Sequence, residues 1–467
     1  MNKINTFLKE NIFNIILLLV YLIITLILMF NHELWRDETQ VWCIVRDCNI
    51  LDIINKARLE GHPLIWYFLL LPFAKLGCSV FSMQVISFIL VFLSIVFLLF
   101  KSTFNKYIKT VVVFSSGMLY FLPIVARNYS LIPLFLFILA DLYPKRKQRP
   151  YFYIFTLIIL SNTHILMLAF CFTLFLLFAF ELFKDFLKDK NIKNLIPVFV
   201  LFLNFVLIFL MFNNMQNQNH VVVFYAQNAK PLLVSMKNYA LLYFLYPLNV
   251  LKNINVIFFY LLFLALFILL YMKSKKIFLI LSFSFTYIFY IFHKVWFNGI
   301  IYQKAYILLL IVLFCYWIFV NKEKNKLFTV IVAILFSISS LSSVFVVFME
   351  INSNFSAAKQ VADYIKNNIK EESYFNVVGY PFTFTSISAY LPDKKFYSYI
   401  NNYYISYYDF NSERTTKTEK EPDTKYYIVQ SDFVLNNGFK EIYKSDDFVL
   451  SSNEYKEAFK IYVKENN

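Results

Sequence analysis

Long apolar runs separated by short basic segments make up the first 350 residues of the chain. A transmembrane helix needs about 20 mostly apolar residues, and the pattern predicts eleven spans. The first, Asn11–Phe30, is too long for the core of a signal peptide and has no small-residue cleavage site after it, so we interpret it as a retained span. The predicted spans are 11–30, 82–100, 110–126, 128–144, 151–161, 164–183, 195–212, 254–272, 277–292, 300–320 and 327–349.

The apolar run Tyr151–Phe183 is interpreted as two short helices. A single helix of this length would be about 50 Å long, well beyond the apolar thickness of a bilayer, which is about 30 Å. Basic loops also flank the run on both sides, at 145–149 and 184–193. A turn at Ser161–His164 would return the chain to the side from which it came.

The basic residues fall on alternate loops of this plan, and the positive-inside rule makes those loops cytoplasmic. Lys3 and Lys9 put the N-terminus on the same side. Pro63–Leu76 is apolar but too short to cross, so 62–77 is predicted to hold a re-entrant or interfacial helix. The plan is a polytopic α-helical domain over 1–350, with an outer loop at 31–61.

The C-terminal part, 351–467, has a different pattern and is expected outside the membrane, because the span count is odd. Ser353–Asn368 predicts an amphipathic helix capped by Ser353 or Asn354. Short strand-like runs follow, and the polar stretch Asn411–Thr424 predicts a mobile loop. These features indicate a small extracytoplasmic α/β domain. The predicted strands are 375–379, 396–400, 426–430, 448–450 and 459–463.

Composition supports this division. Of 467 residues, 60% are hydrophobic and 16% charged, which excludes an ordinary soluble domain and a disordered chain. The net charge of +15 is concentrated in short loops between apolar segments, so we expect no nucleic-acid partner. Five cysteines are too few for a disulfide scaffold. Free thiols among packed helices are the favoured interpretation, and a Cys43–Cys48 pair outside the membrane is the alternative.

Only twelve acidic residues precede Glu350, and six of them lie in the outer loop 31–61. A general base or a divalent metal at the outer surface needs carboxylates, so they must come from this loop or from the C-terminal domain. Adjacent acids near lipid are costly unless paired, and Asp37 and Glu38 directly follow Arg36. A solvated loop with a local ion pair is the alternative. The six acids are Glu33, Asp37, Glu38, Asp47, Asp52 and Glu60.

His62 lies in the segment that closes this loop, and other polar side chains are predicted at the same depth: Arg127, His164, His293, Lys294, Gln303 and Lys304. Snorkelling or helix capping explains each one alone. Together, opposite an acidic loop, they favour binding of a lipid-linked phosphate, which arginine can bind bidentately. The chain has no Walker loop, dinucleotide fingerprint or zinc-ligand spacing. The energy for a reaction outside the cell must therefore arrive with an activated substrate.

These residues and this topology resemble the GT-C superfamily of membrane glycosyltransferases, over about residues 11–350. The resemblance is to the bacterial branch related to protein O-mannosyltransferases and to the aminoarabinose transferase of lipid A. It is carried by Asp37-Glu38, by 61–67 (Gly-His-Pro-Leu-Ile-Trp-Tyr) and by 127–130 (Arg-Asn-Tyr-Ser). Two departures stand out: Pro63 is a single proline where many relatives have two, and Gln303-Lys304 replaces Arg or His pairs.

The resemblance implies that the enzyme transfers a sugar, with inversion, from a polyprenyl phosphate to an acceptor hydroxyl. The acceptor would be a glycan, lipid or protein of the bacterial cell envelope, reached at the outer face of the cell membrane. Asp37 would be the catalytic base or a ligand of a divalent metal, and Glu38 would assist it. The implied substrate-binding residues are Arg36, His62, Arg127, Tyr129, His164 and Lys304.

Other functions remain as alternatives. A transporter or flippase of a lipid-linked sugar predicts charges near the membrane midplane and paired internal repeats, whereas the polar groups here fall at the outer rim. A polymerase or ligase of lipid-linked glycans would use a large later loop, yet 213–252 carries no acid. A membrane protein without chemistry is disfavoured by the concentration of acids in one loop.

Overall fold

The structure is a computed structural model that describes residues 2–213, 232–243, 252–294, 302–410, 419–435, 438–447, 449–450 and 456–465. Helices dominate it up to residue 352, and a mixed sheet with two short helices follows. The helices are α1 Asn2–Asn31, α2 Arg36–Asp47, α3 Ile50–Leu59, α4 Ile65–Lys75, α5 Phe81–Lys101, α6 Lys106–Val113, α7 Leu131–Leu142, α8 Pro150–Ser161, α9 Leu168–Asp189, α10 Ile196–Phe212, α11 Leu232–Tyr243, α12 Lys252–Lys273, α13 Lys275–Lys294, α14 Tyr302–Val320, α15 Lys326–Asn352, α16 Ala358–Asn368 and α17 Thr385–Tyr390.

Among the described residues, eight helical segments are long and apolar enough to cross a membrane, so this is a multi-pass helical membrane protein. They coincide with eight of the predicted spans, and the eleven-span count itself stays a prediction. The segments are Leu8–Asn31, Phe81–Lys101, Ile165–Asp189, Ile192–Phe212, Asn255–Lys273, Lys275–His293, Gln303–Val320 and Lys326–Asn352.

The other three predicted spans are built from shorter helices. α7 and α8 have 12 residues each, flanked by turns or 3-10 helix. The span predicted at 110–126 is broken: α6 ends at Val113, and a π-helix follows at Gly117–Phe121. Glycine is required at position 117, because an added Cβ would overlap the Tyr306 ring. The π-helix therefore packs closely against α14.

The predicted break at Ser161–His164 is present. α8 ends at Ser161, a 3-10 helix covers Ile165–Met167, and α9 begins at Leu168. The His164 ring stabilises the restart, because its Nδ1 accepts a hydrogen bond from the Leu166 amide at 3.1 Å.

The segment predicted as an outer loop, 31–61, instead folds into α2 and α3. α2 is amphipathic, and its apolar side chains are buried against Trp66 and Tyr67 of α4. Those side chains are Val41, Trp42, Ile44 and Val45. α4 itself matches the short apolar helix predicted within 62–77.

The C-terminal part contains a six-stranded sheet in the order β3-β2-β1-β4-β6-β5. β1 pairs in parallel with β2 and β4, and the remaining pairs are antiparallel. Four strands match the predictions, whereas β3 and β5 were missed. The strands are β1 Tyr374–Val378, β2 Lys395–Ser398, β3 Tyr403–Ile405, β4 Tyr426–Gln430, β5 Phe439–Lys444 and β6 Phe459–Lys464.

Two details of this part differ from the sequence interpretation, and a third lies mostly outside the described residues. α15 continues to Asn352, and α16 begins only at Ala358. The predicted helix cap at Ser353 or Asn354 is therefore wrong. The strand predicted at 448–450 is also wrong, since Val449 forms only an isolated bridge with Asn354. Most of the polar stretch predicted as a mobile loop, 411–418, lies outside the described residues.

The sheet domain packs against α2, mainly through α17. Arg46 Nη1 donates to the Ser388 carbonyl at 2.9 Å, and the Leu34 amide donates to Tyr390 Oη at 2.8 Å. Cys43 donates to the Thr385 carbonyl at 3.6 Å, and all five cysteines are free thiols. α2 is therefore enclosed between the membrane helices and the sheet domain.

Candidate functional site

Asp37 lies in the first turn of α2, where the helix dipole favours a carboxylate. Its Oδ2 accepts a hydrogen bond from Arg127 Nη1 at 3.1 Å, and its Oδ1 lies 3.8 Å from Arg36 Nε. The Asp37 side chain is 37% exposed, whereas that of Arg127 is 11% exposed. An accessible carboxylate thus sits directly beside a largely buried guanidinium.

A small cavity opens beside this ion pair. The polar lining comes from the two charged residues, one histidine and one asparagine, and aromatic rings supply much of the remainder. Such a mixture suits a polar ligand that also presents an apolar face. The lining residues are Asp37, Val41, His62, Trp66, Tyr67, Ala126, Arg127 and Asn128.

His62 is held in this cavity by the end of α3. Its Nδ1 lies 3.6 Å from Glu60 Oε2, and Tyr67 and Gln40 also donate to the Glu60 carboxylate. Burial lowers the pKa of His62 below its usual value, and the Glu60 carboxylate offsets this only in part. The imidazole is therefore neutral at pH 7 and can donate one hydrogen bond and accept another.

A second histidine stands behind the first. The rings of His62 and His164 are 5.9 Å apart, and His164 Nε2 lies 3.1 Å from the hydroxyl of Tyr129. Because His164 Nδ1 accepts from the backbone, Nε2 carries the hydrogen and donates to Tyr129. The Arg127 guanidinium lies 5.5 Å from the centre of the Tyr129 ring. His164 thus holds Tyr129, and the Tyr129 ring in turn orients the Arg127 guanidinium.

Lys304 lies at the beginning of α14 and is 8% exposed. It is close enough to Asp37 and Arg127 to interact electrostatically with both. The neighbouring Gln303 donates to the carbonyls of Phe121 and Val125 at 2.6 and 2.8 Å. It therefore ties the start of α14 to the chain that leads into Arg127, a role that the sequence did not indicate.

Glu38 points away from the cavity and is fully buried. Its Oε1 accepts from the Ala126 amide at 2.6 Å, and its Oε2 lies 3.1 Å from His32 Nε2 and accepts from the Trp35 amide at 3.2 Å. Both oxygens are engaged by the protein. The geometry therefore suits a structural link better than the direct assistance to Asp37 that the resemblance implies.

Arg36 likewise has partners outside the cavity. Its guanidinium lies between the rings of Trp35 and Phe382, 5.1 and 5.2 Å from their centres. Its Nη1 is 3.6 Å from the Glu457 carboxylate, and its amide donates to the same carboxylate at 2.9 Å. Burial raises the pKa of Glu457 to about 7, although Arg36 acts in the opposite direction.

The surroundings of Asp37 do not suit a divalent cation. Its two oxygens face Arg127 and Arg36, and both oxygens of the adjacent Glu38 are already engaged. In the part of the chain that the structure describes, no group of three histidine, cysteine or acidic side chains is arranged to hold a metal ion. The chemistry below is derived from the side chains alone.

The site combines one accessible carboxylate, a largely buried guanidinium, a buried lysine amine and two imidazoles, in or beside one cavity. Such a set can accept a proton, bind an anion and donate hydrogen bonds to hydroxyl groups. No protein-family model, no curated protein and no solved structure matches the chain.

Proposed function

We propose that the protein is a GT-C-like membrane glycosyltransferase that moves a sugar from a polyprenyl phosphate to an acceptor hydroxyl at the outer face of the cell membrane. The supporting observation is the Asp37–Arg127 pair, 3.1 Å apart at the cavity. A base for the acceptor and a cation for the departing phosphate are both needed within reach of one anomeric carbon.

In the proposed step, the acceptor hydroxyl gives its proton to the Asp37 carboxylate while its oxygen attacks the anomeric carbon. The new carbon–oxygen bond forms on the face opposite the phosphate, which accounts for inversion. The bond between the anomeric carbon and the phosphate oxygen breaks, and its electron pair leaves with the phosphate. The donor phosphate changes from a monoanion to a dianion, and the proton remains on Asp37.

Arg127 and Lys304 are assigned to the leaving phosphate, because fixed cations stabilise charge as it develops. Arg127 already binds one carboxylate, so an arriving phosphate competes for its guanidinium and releases Asp37 toward the acceptor. The cation thus holds the Asp37 carboxylate in place before the donor binds and binds the donor phosphate afterwards.

The neutral imidazole of His62 and the Asn128 amide are assigned to the sugar hydroxyls, because both line the cavity and both can donate and accept. Trp66 and Val41 supply the apolar part of the lining. The apolar faces of sugar rings pack well on such side chains. Asp37 is assigned to the acceptor hydroxyl and not to binding of the sugar.

Access from the bilayer follows from the membrane character of the protein. Large apolar side chains are exposed along the long helices, as expected for surfaces that face lipid. The positive-inside rule, applied to the basic loops, supports an extracytoplasmic position for Asp37 at the end of the first span. A polyprenyl chain in the outer leaflet would then present its phosphate at the depth of Arg127.

The test uses the full-length protein reconstituted in vesicles of phosphatidylethanolamine and phosphatidylglycerol. A panel of synthetic polyprenyl-phosphoryl sugars is supplied with a bacterial envelope extract, and the released polyprenyl phosphate is measured. We expect turnover of a donor by the wild type and a loss of about 1,000-fold in kcat for Asp37→Asn.

Asp47→Asn is the matched control, since Asp47 lies at the other end of α2 and its carboxylate binds Arg46 at 2.7 Å. Its rate should stay within about twofold of wild type, because loss of an exposed ion pair has little effect. Near wild-type transfer by folded Asp37→Asn, or no phosphate release by the wild type from any donor, contradicts the proposal.

A further inference from the structure

Behind the candidate site, His32 lies between two buried carboxylates. Its Nε2 is 3.1 Å from Glu38 Oε2, and its Nδ1 is 2.9 Å from Glu350 Oε1. The three side chains come from separate segments: the residue after α1, the first turn of α2 and the last turn of α15. All three are at most 1% exposed.

His32, Glu38, Glu350 and Tyr120 form a buried network. Every carboxylate oxygen in it accepts a hydrogen bond or lies within ion-pair distance of His32. The Tyr120 hydroxyl donates to Glu350 Oε2, and the amides of Ala126 and Trp35 donate to Glu38. Burial alone would lower the pKa of His32, but Glu350 and Glu38 outweigh it and raise that pKa to about 10. His32 is therefore an imidazolium that balances one of the two negative charges.

The network reaches the reacting groups through Glu38. Glu38 directly follows Asp37 in α2, and its Oε1 binds the amide of Ala126, which directly precedes Arg127. One carboxylate therefore joins the two segments that carry the Asp37–Arg127 pair. Loss of this hydrogen bond would remove a direct link between those two segments.

We propose that His32 and Glu350 are positioning residues, which hold the Glu38 carboxylate in place and thereby set the separation of Asp37 and Arg127. The effect on catalysis rests on the proposed glycosyl transfer, whereas the effect on geometry does not. Buried ion pairs are often no more stable than apolar side chains of similar volume, so stability alone is a weak explanation for three charges here. Buried, fully hydrogen-bonded charges specify the orientation of side chains more narrowly than apolar contacts do.

The experiment compares Glu350→Gln and His32→Gln with Tyr21→Phe in the reconstituted full-length protein. Tyr21 is the matched control, because its buried hydroxyl also joins α1 to the π-helix, by donating to the Met118 carbonyl at 2.8 Å, and it does not touch the network. Hydrogen exchange is measured by mass spectrometry on peptides covering 122–130. Donor turnover is measured as release of polyprenyl phosphate from the polyprenyl-phosphoryl sugar that the wild type uses.

We expect amide exchange at Ala126 and Arg127 to become about tenfold faster in both network variants and to stay unchanged in Tyr21→Phe. We expect kcat to fall about tenfold in Glu350→Gln with KM within about twofold, because small displacements of reacting groups reduce the rate more than they reduce binding. Tyr120→Phe removes one hydrogen bond and no charge, so it should give a smaller change in the same direction. It also serves as the test if Glu350→Gln fails to fold.

Unchanged exchange at 122–130 in the network variants overturns the proposal. So does an equal change in Tyr21→Phe, which would mean general loosening of the core, or a rise in KM with kcat retained. Absence of donor turnover in the wild type would instead overturn the proposed glycosyl transfer. The exchange measurement would still decide whether the network fixes the relative position of the segments that carry Asp37 and Arg127.

Discussion

Two different regions hold the beginning of α2, and they do so with different chemistry. On the membrane side, Glu38 is bound by His32 and by the Ala126 amide. On the side of the sheet domain, Glu457 accepts from the Arg36 amide at 2.9 Å and from the Ser356 hydroxyl at 2.6 Å. Asp37 is the single residue between these two fixed neighbours. Its position is therefore set by both regions together.

The two anchors differ in how they compensate a buried carboxylate. Glu38 lies 3.1 Å from the His32 imidazole and accepts hydrogen bonds from two backbone amides, so both of its oxygens have partners. Glu457 has Arg36 at 3.6 Å and the hydroxyls of Ser356 and Ser386, and burial still raises its pKa to about 7. The anchor from the sheet domain therefore titrates near neutral pH, whereas the membrane-side anchor is compensated by an imidazolium and two backbone amides.

Truncating each anchor gives the largest expected difference between the two regions. Glu38→Ala leaves the buried His32 cation with one acid and leaves the Ala126 amide without its acceptor, so we expect a loss of about 3–5 kcal/mol in the free energy of unfolding. Glu457→Ala removes the acceptor of the Arg36 amide, but the two serine hydroxyls can rotate to other acceptors and the Arg36 guanidinium keeps its contact with Asp37, so we expect about 1–3 kcal/mol. Thermal unfolding in vesicles at pH 7.5 measures both; equal losses would contradict the distinction between the anchors.

The sequence predicts those parts of the molecule that depend on local pattern. Apolar runs predict the long helices, the turn at Ser161–His164 and the short helix α4, because burial in lipid or protein acts on each run independently. α2 was interpreted as a loop, because its acids conceal the amphipathic spacing of Val41, Trp42 and Val45. β5 is an edge strand without clear alternation of buried and exposed residues, which explains why it was missed.

The candidate site divides in the same way. Counting scarce acids and cations at one depth singles out Asp37, Arg127 and His62, and these residues line one cavity. The residues that hold them were not predicted, because His32 and Glu350 are 318 residues apart and Arg36 and Glu457 are 421 apart. Such pairings depend on how distant elements pack, and a single sequence has no local signal for that.

The pH dependence of stability gives the next test of the two anchors. The folded protein holds a proton on Glu457 up to about pH 7, whereas the unfolded chain releases it near the ordinary value of 4.5. The folded state therefore binds more protons between these values, and its stability falls as the pH rises from 4.5 to 7, by about 3 kcal/mol at most. Glu457→Gln should remove this slope, because glutamine does not titrate.

Unfolding temperatures from pH 5 to pH 8 measure that slope. Glu441→Gln is the matched control, because Glu441 is 40% exposed on β5 and lies 3.5 Å from Lys460. That variant should keep the wild-type slope. A wild-type protein whose stability does not change over this range would mean that Glu457 is ionised throughout, and the two anchors would then be alike.

The smallest effect is expected at the rim of the contact between the sheet domain and α3, where Lys56 binds Asp409 with side chains 18% and 8% exposed. Lys56→Ala should cost about 0.5–1 kcal/mol, since such pairs are only partly shielded from water. The control is Lys147→Ala, which breaks a more exposed pair with Asp185 and should cost less.

Hydrogen exchange shows which part of the molecule loses stability in Lys56→Ala. Faster exchange in the sheet strands alone shows that this domain opens separately from α2 and that the two anchors act independently. Equal acceleration in α2 and the strands shows instead that they unfold as one unit, so that the chemical difference between the anchors is not matched by a difference in stability.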